Sequence, residues 1–127
     1  MALEEAEILR KRAYAFLRNA ERLFEEGEYD LAAFSIEQFC QLLVKYKLLI
    51  KTGSYPRSHS LMRLLRELSK AVPERNLTSF INSNVMYLTK IEDAYIGSRY
   101  LPRIYERREV EELLRFAKVF KEVVDSV

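Results

Sequence analysis

The sequence predicts an all-α fold: five helices in an antiparallel up-and-down bundle, forming a single domain over residues 1–127. Three observations predict it. Apolar residues recur at steps of three and four along most of the chain, which is the period of a helix face. Only 3 Gly and 3 Pro interrupt 127 residues, and 49% of them are hydrophobic against 31% charged, enough apolar material for one core and too little chain for two domains. No segment reads as a strand.

The first helix, Leu3 to Glu26, sets Ala6, Leu9, Ala13, Phe16, Leu17, Ala20 and Leu23 on one stripe. Gly27 follows, free to take the left-handed conformation that closes a helix. The second, Tyr29 to Lys51, is apolar on more than one side. Ala32, Ile36, Phe39, Leu43 and Ile50 form one face, and Leu31, Leu42 and Leu49 another, so this helix is expected at the centre of the bundle. Cys40 on its apolar side reads as a small buried hydrophobe. Residues 52–60 hold Gly53, Ser54 and Pro56 and form the longest loop. Leu61, Leu64, Leu65 and Leu68 mark a short third helix ended by Pro73. Asn76 is the expected cap of a fourth, whose stripe is Leu77, Phe80, Ile81, Val85, Leu88, Ile91 and Tyr95, with Gly97 near its end and Pro102 beyond. The fifth, Glu106 to Asp125, uses Val110, Leu113, Leu114, Ala117, Phe120 and Val124, and Glu106 and Glu109 suit the positive end of its dipole. Leu23 to Ala33 resembles half of a tetratricopeptide repeat. An offset of about 34 residues, the length of that repeat, carries Leu23 onto Arg57 in the Gly/Pro loop, so no repeat array is expected.

Composition removes several function classes. The single Cys and single His exclude an internal disulfide and a Cys/His zinc site. No apolar run is long enough to span a membrane, and Glu4, Glu5 and Glu7 stand where a signal peptide needs positive charge, so the expected location is cytoplasmic. Phosphate-binding glycine loops, His-Glu-x-x-His and the nucleophile elbow are missing. No cofactor, metal ligand or catalytic residue is expected. Glu92 and Asp93 are adjacent, hence about 100° apart on a helix, and read as solvated rather than as a converging pair.

The net charge of +2 is unevenly spread. From Gln38 to Arg66 there is no acid, while Lys45, Lys47, Lys51, Arg57, Arg63 and Arg66 lie within that run. Such segregation either gathers anions or is a solvated helix face. Two loops carry the sharper signal. In one, Pro56, Arg57 and His59 precede a helix whose first N–H groups attract anions; its plainer reading is a helix cap from Ser58 or Ser60. In the other, Tyr95, Arg99, Tyr100, Arg103 and Tyr105 occur without an acid among them, suited to stacking bases and pairing phosphates, or else to covering the end of the bundle.

Gly27-Glu-Tyr29-Asp-Leu-Ala32, then Glu37-Gln38 and Lys47-Leu48-Leu49, then Pro56-Arg57-Ser58-His59-Ser60-Leu61, then Asp93-Ala94-Tyr95 with Ser98-Arg99-Tyr100-Leu101-Pro102 and Tyr105, then an amphipathic last helix, together resemble a HEPN domain. The chain is similar in particular to the stand-alone HEPN proteins encoded beside minimal nucleotidyltransferases. The resemblance implies a helical homodimer with a polar cleft near the interface that contacts nucleotide or RNA. Many HEPN domains are metal-independent ribonucleases carrying an Arg with a His four to six residues later. Arg99 matches the Arg, but Arg103, Ile104 and Tyr105 fill that window, so the proton-carrying histidine is absent there. Histidine titrates near neutrality and tyrosine does not. The expectation is therefore a binding subunit that partners a minimal nucleotidyltransferase, as in a toxin–antitoxin pair. Its nucleotide or anion site would be formed by Arg99, Tyr100, Arg103, Tyr105, Arg57 and His59. An atypical ribonuclease using His59 or Tyr105, and a non-enzymatic helical interaction module, are the alternatives.

Overall fold

The computed structural model describes residues 2–101 and 103–127, and every described segment of regular structure is helical. Helices α1 (Ala2–Glu25) and α2 (Tyr29–Thr52) are joined by a tight turn in which Gly27, at φ +79°, donates to the carbonyl of Phe24 at 3.0 Å and Glu28 donates to that of Leu23 at 2.9 Å. Contacts step outward symmetrically from that turn: Phe24 with Tyr29, Asn19 with Ser35, Tyr14 with Phe39. The two helices therefore run antiparallel along their length. Gly53, at φ +88°, closes α2 in the same left-handed way.

Helix α3 (Leu61–Ala71) is capped by Ser60, whose hydroxyl accepts from the Arg63 N–H at 3.2 Å. Pro73 opens a short 3-10 turn, Pro73–Arg75. Asn76 then adopts φ +54° and makes no side-chain cap, contrary to its expected role. Its amide donates to Pro73 and its carbonyl accepts from Ser79, each at 3.3 Å, so it closes one turn and opens the next through its backbone. Asparagine is among the few residues that tolerate this region.

The fourth predicted helix is two helices, α4 (Leu77–Ser83) and α5 (Val85–Gly97), which with α6 (Arg107–Asp125) makes six among the described residues rather than five. The break has a local cause. The Asn84 side chain donates to the Phe80 carbonyl at 2.8 Å, the acceptor that a continuing helix reserves for the Asn84 backbone, and the displaced backbone N–H turns to Ile81 at 3.2 Å. The periodic apolar stripe survives the break, and periodicity alone had no way to register it. Pro102, expected to interrupt the chain before the last helix, lies outside the described residues.

Helix α2 is the central post, as its two apolar faces predict. Helices α1, α3, α5 and α6 all pack on it. Asp30 accepts from the Tyr105 amide at 3.0 Å, Phe39 meets Phe120 at 6.3 Å, and Lys47 donates to the Asp125 carbonyl at 3.1 Å, so α6 runs parallel to α2. Leu31 and Ile50, assigned to buried faces, lie at the two ends of α2 and are 47% and 38% exposed. Cys40 is fully buried.

The Phe39 ring, with no exposed surface, touches both α1 and α6 through Tyr14 and Phe120. Phe39→Ala is expected to cost about 3–5 kcal/mol, while Leu31→Ala at the exposed end of the same helix stays within about 0.5 kcal/mol. Urea unfolding of the two variants checks the contrast.

Candidate functional site

Helix α2 carries a row of polar groups into the core. Glu37 and Gln41 are one turn apart, and Lys45 is one turn further on, so all three share a face. Glu37 has no exposed surface. Both of its oxygens accept hydrogen bonds, Oε1 from Gln38 Nε2 at 2.7 Å and Oε2 from Gln41 Nε2 at 2.6 Å. The opposite end of the Gln41 amide, Oε1, accepts from Lys45 Nζ at 2.8 Å and lies 3.4 Å from Nδ1 of His59. Burial pushes the Glu37 carboxyl up to about 7, while the amides of Gln38 and Gln41 and the charges of Lys45 and Arg99 pull it back. Burial lowers the Lys45 ammonium, and the Glu37 charge opposes that shift.

His59 brings the first sequence loop into this row, and its ring stacks on Tyr95 at 4.5 Å with 16° between planes. The Arg99 guanidinium lies 4.6 Å from the same Tyr95 ring, 4.4 Å from Phe34 and 4.5 Å from Tyr100. Its Nε and Nη2 donate to the Tyr95 carbonyl at 3.0 and 2.7 Å. No carboxylate pairs with Arg99 among the described residues. The result is a held cation with unused donors, fixed by three rings and one carbonyl, with His59 on the same tyrosine.

An open cleft of about 500 Å³ is lined by His59, Tyr95, Gly97, Arg103 and the two acids Glu92 and Asp93. A second, of about 370 Å³, is lined by Lys45, Tyr55, Arg57 and His59. His59 is the wall they share. Glu92 is not a merely solvated residue: its Oε1 accepts from the Ser60 hydroxyl at 2.6 Å and from the Met62 N–H at 3.0 Å. The N-terminus of α3, expected to attract an external anion, is thus occupied by a carboxylate of the chain itself.

The six sequence-predicted residues separate into different environments. Arg99, Tyr100, Arg57 and His59 are exposed. Arg103 pairs with Glu109, which also takes Lys90 at 3.2 Å, so much of its charge is neutralised. Tyr105 is only 3% exposed, with Arg103 over its ring at 3.7 Å. A Cβ at position 97 would stand 3.1 Å from the Tyr105 hydroxyl, so Gly97 makes room for that phenol rather than turning the chain. Burial raises the Tyr105 phenol further from neutrality, which leaves it neither a stacking platform nor a proton carrier. Phe34 and Gln41 were missed by reading the loops alone, and Lys45 was named only as one of six cations in the acid-free run. A carboxylate and amides inside the most apolar helix were the available signal.

The raised Glu37 carboxyl has a definite sign for stability. The folded state holds that proton more tightly than the unfolded chain, so the contribution is complete below the ordinary glutamate range and is lost as pH rises through about 7. A displacement of that size corresponds to about 3 kcal/mol. Glu37→Gln, which never ionises, is expected to lose less stability than the wild type between about pH 5 and about pH 8, and urea unfolding at the two pH values measures the difference.

Among the described residues no group of His, Cys, Asp or Glu is arranged to hold a metal ion, and no helix is long and apolar enough to cross a membrane. Comparison with curated proteins and with solved structures gave no match. The family model for the HEPN domain matches residues 6–127. That match takes in α2 with its buried carboxylate, the loop bearing His59, the Tyr95–Arg99 stack and α6, and on it the all-helical chain belongs to the HEPN domain family.

Proposed function

We propose that this protein is a nucleotide- or RNA-binding HEPN subunit, a cytoplasmic homodimer that partners a minimal nucleotidyltransferase as one member of a toxin–antitoxin pair. The observation that carries the binding reading is Arg99: a guanidinium held by Phe34, Tyr95 and Tyr100, unpaired with any described carboxylate, and stacked on the tyrosine that lines one of the two clefts sharing His59. Such a group offers planar donors to a phosphate, and exposed Tyr100 offers a ring face to a base. Arg57 and Lys45 add positive charge from the second cleft. Arg103 and buried Tyr105 would shape the site from its edge rather than carry its charge or its stacking.

A specific observation favours a second reading, an atypical ribonuclease. His59 and Arg99 both lie against Tyr95, so the chain's one imidazole stands near the arginine even though it comes from a different loop. One experiment separates the two readings. Adenosine monophosphate and a short single-stranded RNA are expected to bind with an affinity that falls as salt rises. Arg99→Ala weakens binding about tenfold or more, as loss of a charge-assisted contact does, while Arg18→Ala on the exposed side of α1 leaves it unchanged. The RNA is recovered uncut. Cutting that His59→Ala abolishes replaces the binding reading with the ribonuclease one, and salt-indifferent binding favours an interaction module.

Ile96, Tyr100, Leu101 and Ile104 are exposed apolar side chains along one stretch of chain, with Ile104 at 80%. Two-fold self-association is the commonest way to cover such a surface. Light scattering is expected to give about twice the 15.0 kDa of one chain, and Ile104→Asp returns it to a single chain.

A further inference from the structure

We propose that Gln41, anchored on the buried Glu37, is a positioning residue that holds His59 in the tautomer with its proton on Nδ1, leaving Nε2 as a lone-pair atom where the two clefts meet. The argument starts from the two ends of one amide. At about pH 8, above the range through which Glu37 loses its proton, its carboxylate only accepts, and an ammonium only donates. The Gln41 amide lies between them, its nitrogen 2.6 Å from Glu37 Oε2 and its oxygen 2.8 Å from Lys45 Nζ. Turning the amide over would set oxygen against carboxylate and nitrogen against ammonium. Both contacts would then be repulsive, and Glu37 and Gln41 are themselves buried, so the orientation is determined twice over.

That orientation dictates the proton on the imidazole. The atom facing Nδ1 is the Gln41 oxygen, at 3.4 Å, and an oxygen that only accepts requires a hydrogen on its partner. With Nδ1 protonated, Nε2 of the neutral ring carries the lone pair. Stacking on Tyr95 holds the ring plane, so two independent contacts fix one side chain. The charged groups around His59 are Glu37 and Lys45 on α2, Arg99 just beyond α5, and Arg57, Glu92, Asp93 and Arg103, which line the two clefts with it; among the described residues the one hydrogen-bond partner of the ring is Gln41. An Nε2 lone pair accepts from a hydroxyl and repels another bare acceptor. Its fitting ligand is therefore a hydroxyl donor, of which a sugar hydroxyl is the kind that a nucleotide supplies; this last step rests on the nucleotide reading, whereas the tautomer belongs to the free protein.

His59 is the chain's only histidine, so the ring nitrogens of the ¹⁵N-labelled protein form one spin system. At about pH 8, above the range where imidazole is charged, the wild type is expected to show a protonated Nδ1 and a pyridine-like Nε2, the reverse of the tautomer that free histidine prefers. Gln41→Met reverts to protonated Nε2, and Glu37→Met gives a mixture because its amide has lost one of two anchors. Circular dichroism confirms that each variant is folded. Protonated Nε2 in the wild type overturns the proposal without any variant, and so does an unchanged tautomer in Gln41→Met. An unchanged tautomer in Glu37→Met overturns the anchoring by Glu37. Adenosine monophosphate is then added to the wild type, where a shift of the Nε2 resonance is expected. A protonated Nδ1 with no response upholds the positioning role and counts against the nucleotide reading, and a response with protonated Nε2 does the reverse.

Discussion

A carboxylate with no exposed surface in the central helix is the constraint around which the candidate site of this bundle is arranged. An ionised group that deep is costly unless its lone pairs are occupied, and here both Glu37 oxygens are taken by amides from the same helix, Gln38 and Gln41. Gln41 is thereby committed. Its oxygen faces outward to Lys45 and His59, and the loop from Gly53 to Ser60 is tied to α2 at the histidine. From His59 the chain of contacts continues through Tyr95 to Arg99, so a charge buried in one helix is linked to an exposed guanidinium at the end of another.

Competition between charges decides which cations are available. Arg99 and Arg103 are four residues apart in sequence and chemically alike, yet Glu109 on α6 neutralises Arg103 together with Lys90 and forms no ion pair with Arg99. The same competition closes the N-terminus of α3, where Glu92 satisfies the Ser60 hydroxyl and the Met62 amide. Arg99, Arg57 and Lys45 are left without a paired carboxylate among the described residues, and Arg57 and Lys45 share a cleft with His59.

The helices themselves followed from local rules. Spacing of apolar residues located α1, α2, α3 and α6 to within a few residues, and Gly27 ended α1 as its freedom at positive φ requires. Local rules failed where a side chain competes with the backbone for the same partner. Asn84 takes the Phe80 carbonyl and splits one predicted helix in two, and Asn76 acts through its backbone where a side-chain cap was expected. Both are choices between hydrogen bonds of similar strength, which periodicity does not weigh.

For the site, the sequence by itself determined the residue types on offer: an acid-free basic run, a lone histidine in a Pro/Ser loop, and arginines interleaved with tyrosines. Only the tertiary structure decided their fates. It buried Tyr105 against Gly97, paired Arg103, freed Arg99, and carried His59 across to Tyr95 and Gln41, 36 and 18 positions away in the chain. The reason is physical. Whether a polar side chain becomes a ligand group, a cap or a wall depends on burial and on the nearest opposite charge. In a helical bundle both are set by residues that the packing of helices, and not the order of the chain, makes neighbours.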